Sequence, residues 1–141
     1  MTRVAADLSE DDDARVLLAD TLKNLSPWDY WAADGATPKG RTAELVAALE
    51  TVLARRPDHP GAIHLYIHAV EASATPQRAE AHADRLAALV PADGHLVHMP
   101  AHIYYRVGRY RDSLAANVAA ARADEAYLAE AKGADGIYPY G

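Results

Sequence analysis

The sequence predicts an all-α protein, a solenoid of stacked helical hairpins with about three helix pairs in its 141 residues. Two observations lead there. Apolar residues recur at helical spacing through long Ala- and Leu-rich stretches, broken by Pro and Gly, and no stretch shows the alternation of a half-buried strand. The chain is also self-similar at a period of 34 residues, relating Pro57 to Pro91, Ile63 to Val97, His64 to His98, His68 to His102, Val70 to Tyr104 and Ala79 to Ser113. A helical hairpin of that size cannot bury its apolar face alone, so neighbouring hairpins must stack.

The elements follow in order. A first helix is expected from Asp12 to Leu25, led by the acidic run Glu10 to Asp13, which suits the positive end of the helix dipole. Residues 26–40, SPWDYWAADGATPKG, read as an ordered loop: Pro27, Gly35, Pro38 and Gly40 break helix, while Trp28, Tyr30 and Trp31 call for burial. Helix resumes with Thr42 as the expected N-cap, carries Leu45, Val46, Leu49, Val52 and Leu53 as its apolar stripe, and stops before Pro57. A third helix follows Pro60 and ends near Ser73; a fourth runs from Pro76 to Val90. A fifth spans Leu96 to Val107, closed by Gly108, and a sixth runs from Tyr110 to Ala131. Pro100 falls inside the fifth. It lacks an amide hydrogen and frees the carbonyl of Leu96, so a kink or a fresh helix start is expected between His98 and His102.

These elements form one domain over residues 1–141: an irregular first repeat at 11–56 with its long loop at 26–40, regular repeats at 57–91 and 92–124, and the start of a further element at 125–141. Ile63, Val70, Leu86, Leu89, Val97 and Leu114 are the expected core between layers.

Composition narrows the function. Net charge is −6, which disfavours a nucleic-acid backbone or an anionic membrane as partner, and the short cluster Arg106, Arg109 and Arg111 reads as a solvated face. There is no cysteine, which excludes disulfides and thiolate metal sites. No window approaches the roughly 18 apolar residues of a membrane span and no signal-peptide core is seen, so a soluble cytoplasmic protein is the expectation. A glycine-rich phosphate loop, a G-x-S-x-G elbow and an HExxH pair are all missing; Leu65 stands where that last motif needs glutamate.

The histidines are the candidate site. His64 and His68, and likewise His98 and His102, stand at i, i+4, which places both imidazoles of a pair on one helix face. The 34-residue repeat then puts the two pairs on the same face of neighbouring helices. Neutral imidazole ligates transition metals, and arms from two packed helices about 10 Å apart can converge on one ion at about 2.0 to 2.1 Å. Glu71 extends the first pair to H-x-x-x-H-x-x-E, as a ligand, as an orienting partner for a histidine, or as a general base. His59 and His82 read as structural histidines, and Tyr66 and Tyr104 as packing residues.

In the last full unit Tyr105, Gly108, Tyr110, Ser113, Leu114 and Ala120 resemble the tetratricopeptide repeat, as do Leu86, Leu89 and Pro91 in the unit before. The resemblance covers residues 57–124 well and 11–56 more weakly. The strings HPGAIHLYIHAVE and HLVHMPAHIYYRVGRY, preceded by LSPWDYW, resemble a group of long bacterial tetratricopeptide-repeat proteins that continue past the equivalent of IYPYG. That likeness implies a right-handed solenoid, a chain that is a fragment or shortened member, and a C-terminal apolar surface open to self-association. It also implies that the first helix of each pair lines a concave groove. His64, His68, Glu71, His95, His98, His102 and Tyr105 then face that groove. With seven histidines in 141 residues, about ten such places would hold about half a histidine by chance, and they hold five.

The expected function is a transition-metal site in this groove (Zn, Cu, Ni or Fe), ligated by His64, His68, His95, His98, His102 and Glu71, with Glu71 and Tyr105 as candidate catalytic groups. The alternative is a non-catalytic scaffold that binds a peptide or partner protein in the same groove.

Overall fold

Asp11 opens the first helix: its carboxylate accepts the amide of Ala14 at 3.0 Å, satisfying one of the four free donors at a helix start. The structure, a computed structural model, describes residues 10–131. Helix α1 (Asp12–Asn24) buries Ala14, Leu18, Ala19 and Leu22. Helix α2 spans Thr42–Arg55. Thr42 is the first helical residue and is buried, so the cap position falls to Arg41, whose guanidinium instead grips Glu44 at 2.6 Å. Helix α3 (Pro60–Val70) starts on a proline, where the missing amide costs nothing, and the Nδ1 of His59 accepts from the amide of Ala62. A 3-10 turn (Pro76–Ala79) leads into α4 (Glu80–Leu89).

The expected fifth helix is two helices. Helix α5 (Gly94–His98) is capped by Asp93, Met99 intervenes, and α6 (Pro100–Arg106) begins on the proline. The amide of His102 reaches back only three residues, to the carbonyl of Met99 at 3.2 Å, as expected where a proline interrupts the i to i−4 ladder. After Gly108, at φ +83°, helix α7 runs Tyr110–Glu130. Residues 132–141, the end of the proposed further element, lie outside the described residues.

Consecutive helices pack on one another: α1 on α2, α2 on α3, α3 on α4, α4 on α5 and α6, and both of these on α7. Helix α3 also meets α1 and α6. The core between them is Leu45, Leu49, Val52, Ile63, Ile67, Val70, Leu86, Met99 and Ile103. Ile63, Val70, Leu86 and Val97 are buried as expected. Leu89 and Leu114 are not, at 38% and 66% exposed. Helix α7 turns small residues inward, burying Ala120 and packing Ala116 on the core, which leaves Leu114 facing out. The only strand-like pairing among the described residues is one bridge between Trp31 and Pro38, and no helix there is long and apolar enough to cross a membrane.

The long loop is docked. Trp31 donates its indole N–H to the carbonyl of Ala69 at 2.7 Å, and Ala74 donates its amide to the carbonyl of Gly35 at 2.8 Å. Gly35 is required twice over: its φ is +65°, and a Cβ there would lie 2.8 Å from the amide nitrogen of Ala74. Tyr30 is buried. Trp28, expected to be buried, is 70% exposed at φ +62°.

Candidate metal centre

Two contributions meet where α3 packs on α6. Helix α3 supplies His64 and His68 one turn apart, with Glu71 directly after its last residue. The broken helix supplies the rest: α5 carries His95 and His98, and α6 carries His102. Because the break falls at Met99, the two short pieces are not held to one straight ladder.

All six residues come together in one continuous cluster. The Nε2 atoms of His64 and His95 are 3.1 Å apart, and those of His98 and His102 are 2.9 Å apart. His68 sits between the two groups, its ring centroid 4.9 Å from that of His64 and 5.6 Å from that of His102. Glu71 spans them, with Oε1 3.1 Å from Nδ1 of His68 and Oε2 2.6 Å from Nδ1 of His102. The grouping keeps both i, i+4 pairs and adds His95 to the first. His64, His68 and His95 form the compact set, each offering one ligand atom within 4.8 Å of the others, while His98 adjoins His102.

The electrostatics favour the neutral form of two rings, His64 and His95. Burial, then the neighbouring His68 and His95, push the pKa of His64 down to about 3. Burial and His68 lower that of His95 as well. Desolvation alone would raise the Glu71 carboxyl, but hydrogen bonds from His102 and His68 outweigh it and hold it at about 2. Glu71 thus keeps its charge beside the cluster, while His64 and His95 are held in the neutral form that ligates metal. The Nδ1 of His95 is buried without a partner.

The remaining candidates fall outside the cluster or at its rim. Tyr105 is exposed and lines an open pocket of about 220 Å³ together with Glu71, His98, His102, Arg106 and Asn117. His59 is structural, capping α3 and hydrogen-bonded to Asp13, and His82 contacts Arg85 and Tyr66. The hydroxyls of Tyr66 and Tyr104 are held by Glu50 and Asp84. Two residues escaped the sequence reading. Trp28 and His68 form a T-shaped ring pair with centroids 5.2 Å apart, and Asn117 of α7 meets His98. No sequence signal marks Asn117, since only the packing of α7 on α5 brings it there.

Comparison with models of known families, with curated proteins and with solved structures gives no match.

Proposed function

We propose that this chain is a tetratricopeptide-like helical-repeat protein, a right-handed solenoid of helix pairs, that binds a transition-metal ion through the histidines of its groove: His64, His68, His95, His98 and His102, with Glu71. The observation that carries the reading is the spacing of His64, His68 and His95. Ligand atoms around one ion at about 2.1 Å cannot lie more than about 4.2 Å apart. The set as it stands lies within 4.8 Å, so small side-chain rotations complete it. Imidazole ligation without cysteine suits Zn, Cu, Ni or Fe, and copper binds most tightly in vitro. Glu71 and Tyr105 beside an open pocket would serve hydrolytic or oxidative chemistry. Self-association through the outer face of α7, where Leu114, Val118 and Leu128 are exposed, belongs to the same proposal.

The test is elemental analysis and thermal melting of protein purified without a polyhistidine tag. A ligand that binds only the folded chain stabilises it by about 2.7 kcal/mol at 100 times its Kd, so metal should raise the melting temperature, and His64→Ala or His102→Ala should lower both metal content and that rise. Equal metal content in wild type and the double variant overturns the reading.

A second reading, a scaffold that takes a peptide carboxylate, is favoured by Arg106. It lines the pocket and donates to the carbonyl of Ser73, with no carboxylate partner among the described residues. Peptide binding that persists after chelation and is lost in Arg106→Ala supports it.

A further inference from the structure

Hydrogen bonds on the outer side of the cluster decide where its lone pairs point. Asn117 donates its side-chain amide to the carbonyl of Ser113 at 2.8 Å, which fixes its Oδ1 as the atom facing His98, 2.8 Å from Nδ1. An amide oxygen only accepts, so Nδ1 of His98 carries the hydrogen and Nε2 is left with a lone pair. The Glu71 carboxylate likewise only accepts, so Nδ1 of His102 donates to it and Nε2 of His102 is also left with a lone pair. The two Nε2 atoms face each other at 2.9 Å. Facing lone pairs at that distance repel, and a shared cation, a proton or a metal ion, relieves them. Two nitrogens 2.9 Å apart fit one ion at about 2.05 Å with an angle of about 90° between the bonds. His64, His68 and His95 meanwhile form a separate three-nitrogen set on the other side of His68.

We infer that the cluster is a two-ion centre: one divalent transition-metal ion on His64, His68 and His95, and a second on His98 and His102, with Glu71 positioning a ligand of each rather than ligating. This rests on the metal reading above and divides its ligands. Glu71 holds Nδ1 of His68 and of His102 with its two oxygens, which leaves Nε2 of each to the ion on its own side. Asn117 is the second positioning residue. The His98–His102 subsite has only two imidazoles and opens on the pocket beside Tyr105 and Arg106, so its other positions are filled by water or an incoming ligand, and it holds its ion more weakly than the triad.

The experiment is calorimetric titration of Zn2+ into the metal-free full chain, with elemental analysis of the product. Two ions per chain are expected, the tighter lost in His95→Ala and the weaker lost in His98→Ala. Asn117→Ala should weaken only the second ion, about 10- to 100-fold, and Asn117→Asp, which keeps the acceptor, should restore it. Melting of each metal-free variant reports folding independently, and Co2+ spectra should show two environments in wild type and one in His98→Ala. One ion per chain, bound unchanged in His98→Ala and Asn117→Ala, overturns the second subsite and leaves a single-ion site standing. One ion lost equally in His95→Ala and His98→Ala also overturns it, because all the ligands then serve one ion. No bound Zn2+ at all overturns both readings.

Discussion

His64 shows how much one residue inherits from its surroundings. Its folded pKa of about 3 lies below the usual 6.5, so between those values the unfolded chain binds the proton that the folded chain refuses. Stability therefore falls as pH falls from about 6.5 towards 3. Glu71, held at about 2 against its usual 4.5, acts in the same direction over the lower part of that range. The metal-free protein should accordingly melt at progressively lower temperature on acidification, and His64→Gln should flatten the slope between pH 6 and 4, where about half the range lies. An unchanged slope in that variant would show that His64 does not govern it. At this scale the histidines were legible because their i, i+4 spacing and 34-residue recurrence are properties of order along the chain. Trp28 was not: composition asks for burial of an indole, whereas the loop holds it at positive φ on the surface, a conformation that costs about 1 to 3 kcal/mol and concentrates at functional sites.

The interruption at Met99 falls in the middle of the element that carries three of the cluster's histidines. It separates α5, which carries His95 and His98, from α6, which carries His102, and Met99 between them keeps helical backbone angles, φ −51° and ψ −38°. Pro100→Ala removes the block to an i to i−4 bond and favours helix by about 3 kcal/mol in propensity. The variant should keep its helical circular dichroism and gain a continuous helix, yet bind metal about tenfold more weakly. Unchanged affinity would show that the break is incidental. The helices themselves were readable to within a few residues because Pro and Gly mark their ends. The proline predicted an interruption, either a kink or a fresh helix start, and the structure has the start, at Pro100. Leu114 is exposed because the repeat specifies which face is apolar without specifying that α7 packs through alanines, and Leu89 is exposed at the very end of α4.

Across the whole molecule, the helices share one core, so a cavity at its centre should be felt everywhere. Leu49 is fully buried on α2, which carries none of the cluster's residues, and Leu49→Ala should cost about 2 to 5 kcal/mol of unfolding free energy in denaturant titration while leaving metal stoichiometry unchanged in the folded protein. A loss of metal at full folding would mean that the core and the cluster are coupled more tightly than their separation implies. Fold class was legible at this scale because helical periodicity and absence of strand alternation are statistical over the whole chain. How the cluster divides was not, since it turns on Glu71 and Asn117, whose partners come from packing between helices.

The position of Trp28 gives the protein a built-in optical reporter. Its ring centroid lies 5.2 Å from that of His68, while the loop that carries it is tied to α3 by Trp31 and to the turn after α3 by Gly35. A paramagnetic ion such as Cu2+ bound at that ring should quench the Trp28 emission, a diamagnetic one such as Zn2+ should leave it bright, and Trp28→Phe should remove most of the difference. The same emission at every copper concentration would mean that the ion does not reach His68.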